Sequence, residues 1–141
     1  MCFRLVLFSL LFAFHLPVLA QQQLFVQVTN IKDHSGKNIN CGLFRAGDQF
    51  PARESVWKYQ IKAAHGDTLI LRFDIPFGAY AIGVSHDLNG NGQLDRNIFG
   101  YPSEPFGFSR NFKPRFSAPT FEDCSFRFEK NNQLIRIRLI D

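Results

Sequence analysis

Short runs in which apolar and polar side chains alternate recur along most of the chain. Alternation at period two puts successive side chains on opposite faces of an extended strand. Leu24, Val26 and Val28 make the first such run. A turn-rich stretch from Lys32 to Asn38, holding Asp33, Ser35 and Gly36, separates it from a second run, Ile39 to Phe44. Ala46 to Glu54 contains Gly47, Asp48 and Pro51 and reads as a loop. Trp57, Tyr59 and Ile61 then alternate with Lys58, Gln60 and Lys62, which predicts a third strand with the second set on its wet face. Beyond a turn at Gly66-Asp67, Leu69, Leu71 and Phe73 predict a fourth strand, closed by Pro76 and Gly78. Tyr80, Ile82 and Val84 form the next, and the residues between them, Ala79, Ala81 and Gly83, are small. A face that small implies that something packs closely against it.

From Asp87 to Pro119 the periodicity stops, and Gly90, Gly92, Gly100, Pro102, Pro105, Gly107 and Pro114 interrupt the segment. A loop this long in a small domain is usually functional or ordered by something other than a ladder. Thr120 to Asp123 reads as a helix start. Cys124, Phe126 and Phe128 begin another strand, and Leu134 to Ile140 alternates with Arg136 and Arg138 on the outer face. About seven short strands with turn signals between them predict an all-β antiparallel sandwich of the immunoglobulin or transthyretin type.

The first twenty residues do not fit that pattern. Arg4 precedes an apolar run, Leu5 to Leu19, and Val18 and Ala20 supply the small side chains of a cleavage site. This reads as a secretory signal peptide, residues 1–20, leaving one domain over 21–141 in the periplasm or outside the cell. No second apolar stretch of spanning length follows, so no transmembrane segment is expected after cleavage. The mature chain has fifteen basic against twelve acidic side chains, a net of about +3, which is too mild for a nucleic-acid binder. Cys41 and Cys124 survive cleavage, and in an oxidising compartment they are expected to pair as a disulfide. Thirteen mature phenylalanines supply apolar area for the core.

The segment Asp87-Leu88-Asn89-Gly90-Asn91-Gly92-Gln93-Leu94-Asp95 carries the clearest chemistry. Oxygen side chains stand at loop positions one, three, five and nine, glycine at six and leucine at eight, as in a calcium loop. Asp87, Asn89, Asn91 and Asp95 would ligate through side chains and Gln93 through its backbone carbonyl. Alternate residues of a tight loop can converge on a hard cation, and calcium is the expected ligand. Position twelve is Ile98 rather than a glutamate, so Glu104 is assigned the missing carboxylate. The competing reading is an Asn-Gly turn that needs no metal.

A longer pattern surrounds this loop. Gly78-Ala79-Tyr80-Ala81 leads into His86-Asp87, the Asn-Gly-Asn-Gly turn and Leu94-Asp95. Gly100, Pro102, Glu104, Gly107-Phe108-Ser109, Asn111, Pro119, Phe121, Glu122 and Asp123 follow. The pattern closely resembles a family of small exported bacterial proteins, domain of unknown function 2141. The resemblance implies a single-domain β protein with a signal peptide and transfers no catalytic residue. Arg110 stands where the family usually has a second asparagine, and Cys124 where it usually has a small apolar residue.

Other constellations carry less. Ser85, His86 and Asp87 are consecutive on a strand, so they point alternately to opposite faces and cannot form a triad. Arg110, Lys113 and Arg115 lie among Phe106, Phe108, Phe112 and Phe116, a mixture that suits an anionic surface but equally a loop folded onto the sandwich. The sequence therefore predicts a non-enzymatic exported module that presents the 87–111 loop to a protein, glycan or envelope surface. The alternative is a hydrolase of an envelope polymer acting through Asp87, Asp95 and Glu104.

Overall fold

In a computed structural model, which describes residues 22–141, the alternating runs become eight strands in two packed sheets. The segment read as a signal peptide lies outside the described residues. In the first sheet, β1 (Gln22–Thr29) is central, antiparallel to β4 (Thr68–Ile75) and parallel to β8 (Gln133–Arg138). The second sheet runs β3 (Lys58–Ala63), β2 (Asn38–Arg45), β5 (Gly78–Asp87), β6 (Phe106–Phe108), with β7 (Phe126–Phe128) also pairing to β5. The sandwich is as expected, with one parallel pair where the two ends of the domain meet and one strand more than the pattern predicted. That strand, β6, has only three residues, Phe106-Gly107-Phe108, too few to register as alternation. No helix among the described residues is long and apolar enough to cross a membrane.

The space between the sheets is filled from both sides. Leu24, Val26, Val28, Phe73, Ile75 and Ile137 of the first sheet meet Ile39, Cys41, Leu43, Ile82 and Val84 of the second, all buried. At roughly 1.5–3 kcal/mol per fully buried side chain, this core is the main source of stability. A second, smaller core lies on the opposite face of the five-stranded sheet. There Ala81 is covered by Phe106, Phe108 and Cys124, with Phe50, Leu94, Phe112, Phe121 and Ile140 around them. The small face of β5 thus receives close-packed partners, as its composition required. The expected helix start is a single turn, α1 (Phe121–Cys124), closed by a capping box. Thr120 Oγ1 accepts from Asp123 N, and Asp123 Oδ2 accepts from Thr120 N at 2.9 Å.

Three expectations need correction. First, β3 is turned over. Lys58, Gln60 and Lys62 sit in register with Leu43, Cys41 and Ile39, so they share the inner side, while Tyr59 and Ile61 face outward. At this open side of the sandwich the polar set crosses to the other sheet. Lys58 Nζ donates to Asp74 O at 2.9 Å, Gln60 Nε2 to Arg72 O, and Lys62 Nζ to Ile70 O at 3.1 Å. These three rungs satisfy carbonyls on the free edge of β4, which would otherwise invite strand addition.

Second, Cys41 and Cys124 are free thiols. Cys41 belongs to the core between the sheets and Cys124 to the outer core, so the five-stranded sheet stands between them. Burial raises both thiols, that of Cys124 to about 12, so each behaves as a small apolar side chain. Third, the phenylalanines do not all serve the core: Phe99 and Phe116 are exposed.

Gly107 fixes how β6 meets the rest. A Cβ there would lie 2.8 Å from Ile137 Cγ2 and 3.0 Å from the carbonyl oxygen of Arg138. Backbone cannot yield as a flexible side chain can. Gly107→Ala is therefore expected to cost roughly 1–3 kcal/mol in urea unfolding. Gly66→Ala, where a Cβ meets nothing within 4 Å, should stay within about 0.5 kcal/mol. Equal stability of the two variants would show that the contact of β6 with β8 is not tight.

Candidate functional site

The oxygen-rich loop leaves the end of β5 and is held by its own side chains. Asp87 is buried, and its two carboxylate oxygens accept from Gly90 N at 2.7 Å and Gly92 N at 2.8 Å. Gly90 and Gly92 both have positive φ, the conformation that lets their amides turn back toward Asp87. Asn89 Oδ1 accepts from Asn91 N at 3.0 Å, and Asn91 Oδ1 from Gln93 N at 2.9 Å. The NH2 groups of both asparagines point the other way and donate to the Asp95 carboxylate. Glu104 also comes to the loop. Its carboxylate, buried, accepts from Leu88 N at 2.8 Å and Asp95 N at 3.4 Å. Gln93 uses its backbone N–H within the loop, and Ile98, at position twelve, is exposed. The candidate ligand residues are therefore gathered, but as a hydrogen-bonded turn. Among the described residues no group of three or more His, Cys, Asp or Glu side chains is placed to hold a metal ion.

Ser85 and His86 part company as strand alternation requires. Ser85 pairs in register with Asn40 on the outer face, whereas His86 lies opposite Ile39 and is buried on the inner one. Neither ring nitrogen of His86 has a hydrogen-bond partner among the described residues. Burial holds this imidazole below its ordinary pKa. The nearby carboxylates of Asp33, Glu104 and Asp87 pull the other way, and His34 adds to the lowering. No nucleophile and base meet here.

The outer face of the five-stranded sheet carries a feature that the sequence reading missed, an open concavity of about 700 Å³. Its floor is two cross-strand rungs of β2 and β5, Asn40 with Ser85 and Gly42 with Gly83, with Phe44 at one end. Tyr59 of β3 borders the second rung. One wall is the segment from Pro51 to Val56. Another is the oxygen-rich loop continued through Tyr101, and a third is Pro114 to Pro119. A Cβ on Gly42 would lie 2.9 Å from Val56 Cγ2, and one on Gly83 would lie 3.6 Å from the ring of Phe108. The two glycines thus let walls and aromatic rings lie flat on the sheet. Asn40, 4 % exposed, lines the cavity on the floor side. An asparagine and a glycine two residues apart, Asn40 and Gly42, inside the apolar run Ile39–Phe44 were the available signal.

Residues 26–136 match the family model described as an uncharacterized protein conserved in bacteria (DUF2141). The chain belongs to that family. No curated protein and no solved structure matches it. The residues on which the resemblance rested have structural work in the fold. Ser109 Oγ accepts from Ile82 N at 2.9 Å and donates to Cys124 O at 2.6 Å, tying β5 to α1. Asn111 Oδ1 accepts from Arg138 N at 2.8 Å. Arg110 has φ 62°. Asparagine tolerates that left-handed conformation better than arginine does.

Two outcomes follow. Arg110→Asn should stabilise the protein by roughly 0.5–1 kcal/mol in thermal or urea unfolding, and a loss of stability would contradict the backbone account. The second concerns His86, which is neutral in the folded protein while the unfolded chain takes up its proton near pH 6.5. Its contribution is complete above that pH and falls as the pH drops toward the lowered folded value. The slope approaches at most about 1.4 kcal/mol per pH unit. His86→Leu should flatten the pH dependence of unfolding free energy below about pH 6.5. An unchanged slope would show that His86 does not set it.

Proposed function

We propose that this protein is an exported, non-catalytic binding module whose ligand occupies the concavity on the outer face of the five-stranded sheet. Export is supported by the charged, apolar and small-residue succession of residues 1–20. The observation that carries the binding reading is the cavity of about 700 Å³, floored by Asn40, Gly42, Gly83 and Ser85 and walled by three loop segments. Small-molecule sites are concavities of roughly this size, mostly apolar, with a few polar groups in fixed places. In this reading the 87–104 loop is a braced wall. The hydrolase alternative finds less support, because Asp87 and Glu104 already hold backbone N–H groups.

Calcium at the loop is the competing proposal. To bind there, it would have to take Asp95 from the NH2 groups of Asn89 and Asn91, which now supply the positive end of a dipole to that carboxylate. Calcium titration followed by thermal unfolding separates the two. The braced-wall reading expects no saturable heat and an unchanged Tm at millimolar calcium. A rise of roughly 10 °C, the scale for a ligand present at a hundred times its Kd, would establish the loop as a calcium site.

The pocket is tested by thermal shift with a panel of amphipathic small molecules on the mature protein and on Ser85→Trp, which fills the floor. Stabilisation of the parent by one or more compounds, lost in the folded variant, is the expected result. Stabilisation that survives in Ser85→Trp, or none with any compound, would contradict it.

A further inference from the structure

The cavity is not uniform along its length. At one end Asn40 and Ser85 face each other across β2 and β5. At the other, Phe44 packs edge-on to Phe50 with centroids 5.0 Å apart, and Phe50 packs on Phe108 at 5.7 Å. A ligand lying along the strands therefore meets a polar end and an aromatic end. Phe99 and Phe116, both exposed, stand in the surrounding walls. Exposed rings at the mouth of a concavity are ready partners for an apolar body.

The charges are unequal as well. Three guanidinium groups line the cavity, those of Arg53, Arg96 and Arg115, against one carboxylate, Glu54. Among the described residues none of the three arginines lies within 4.0 Å of a carboxylate. Arg53 is laid over the Tyr59 ring at 5.3 Å, and its Nη1 is 3.5 Å from where a Cβ on Gly92 would be. Glycine at that position lets the guanidinium lie against the braced loop. Arg96 donates from Nη1 to Gly100 O at 2.9 Å, which holds its stem in the wall while other N–H groups remain free. The guanidinium groups of Arg53 and Arg96, held in this way, suit the planar or tetrahedral oxygens of a carboxylate, sulfonate or phosphate, and that of Arg115 adds charge.

We propose that the pocket takes an amphipathic organic anion: an acidic head group on an apolar, ring-sized body. The head lies toward the arginines and the Asn40–Ser85 rung, and the body lies over Phe44 and Phe108. The inference rests on the pocket being the ligand site, and it adds the charge of the ligand.

Two fluorescent probes with the same aromatic body make the test: anilinonaphthalenesulfonate, which is anionic, and phenylnaphthylamine, which is neutral. Each is titrated into the mature protein at low salt. The sulfonate should bind at least roughly tenfold tighter than the neutral probe. Its affinity should fall at high ionic strength, while that of the neutral probe does not. The variant Arg53→Gln/Arg96→Gln/Arg115→Gln should lose that roughly tenfold advantage and leave the neutral probe unaffected. All three side chains are on exposed residues, and a circular-dichroism melt checks that the variant folds. If it does not fold, Arg115→Gln alone should show a smaller loss of the same sign.

Equal affinity for the two probes, or sulfonate binding that survives arginine removal, would overturn the anion proposal. If Ser85→Trp still abolishes both probes, the pocket reading stands without it. Retention of both probes by folded Ser85→Trp would place them elsewhere and overturn the two readings together.

Discussion

β5 is the constraint on which the rest of the structure depends. Its even-numbered residues, Tyr80, Ile82, Val84 and His86, are buried on the side that faces the first sheet. Its odd-numbered residues, Ala79, Ala81, Gly83 and Ser85, are small and face the other way. Large side chains on one face make the sandwich. Small ones on the other leave the backbone open to close approach by Phe108 and α1. Strand periodicity thus assigns stability to one face and leaves the other available as a floor.

The walls over that floor come from segments without regular structure, so something else must hold them. Hydrogen bonds from a few short polar side chains do so. Asp87 and Glu104 gather the backbone amides of the 87–104 segment. Ser109 and Asn111 pin the segment after β6 to β5, α1 and β8. A capping box starts α1. The same oxygens that resemble a set of cation ligands in sequence accept hydrogen bonds from the loop's own backbone N–H groups. A polar loop held in this way can carry charged side chains such as Arg96 at fixed positions beside the floor.

Much of the fold was legible in the sequence because most strands bury one face, and burial writes itself as alternation. The strands of the main core, the wet face of β8, the helix start at Thr120 and the need for close packing at Ala81 and Gly83 were all visible. β3 was read upside down. At an open side of the sandwich the inner face holds Lys58, Gln60 and Lys62, whose long side chains reach carbonyls of β4. Pattern alone cannot separate that arrangement from a solvated face. The cysteine pair failed for a related reason: strand-like surroundings showed that both are buried, not that a sheet stands between them. In the loop, spacing picked out residues that hydrogen-bond to one another or to the loop backbone. Their partners depend on where the amide groups of Asn89 and Asn91 turn, which spacing does not encode. The pocket was out of reach, since Asn40, Tyr59, Arg53 and Arg96 meet only once β2, β3 and two loops are assembled.

The central claim is that the outer face of the five-stranded sheet is a built site. Amide chemical-shift mapping of the isotope-labelled mature protein during titration with anilinonaphthalenesulfonate addresses it most directly. The account predicts saturable shifts concentrated at Gly42, Gly83, Ser85, Arg53 and Arg96, with the strands of the other sheet unmoved. Shifts centred instead on β1, β4 and β8, or scattered without saturation, would contradict it.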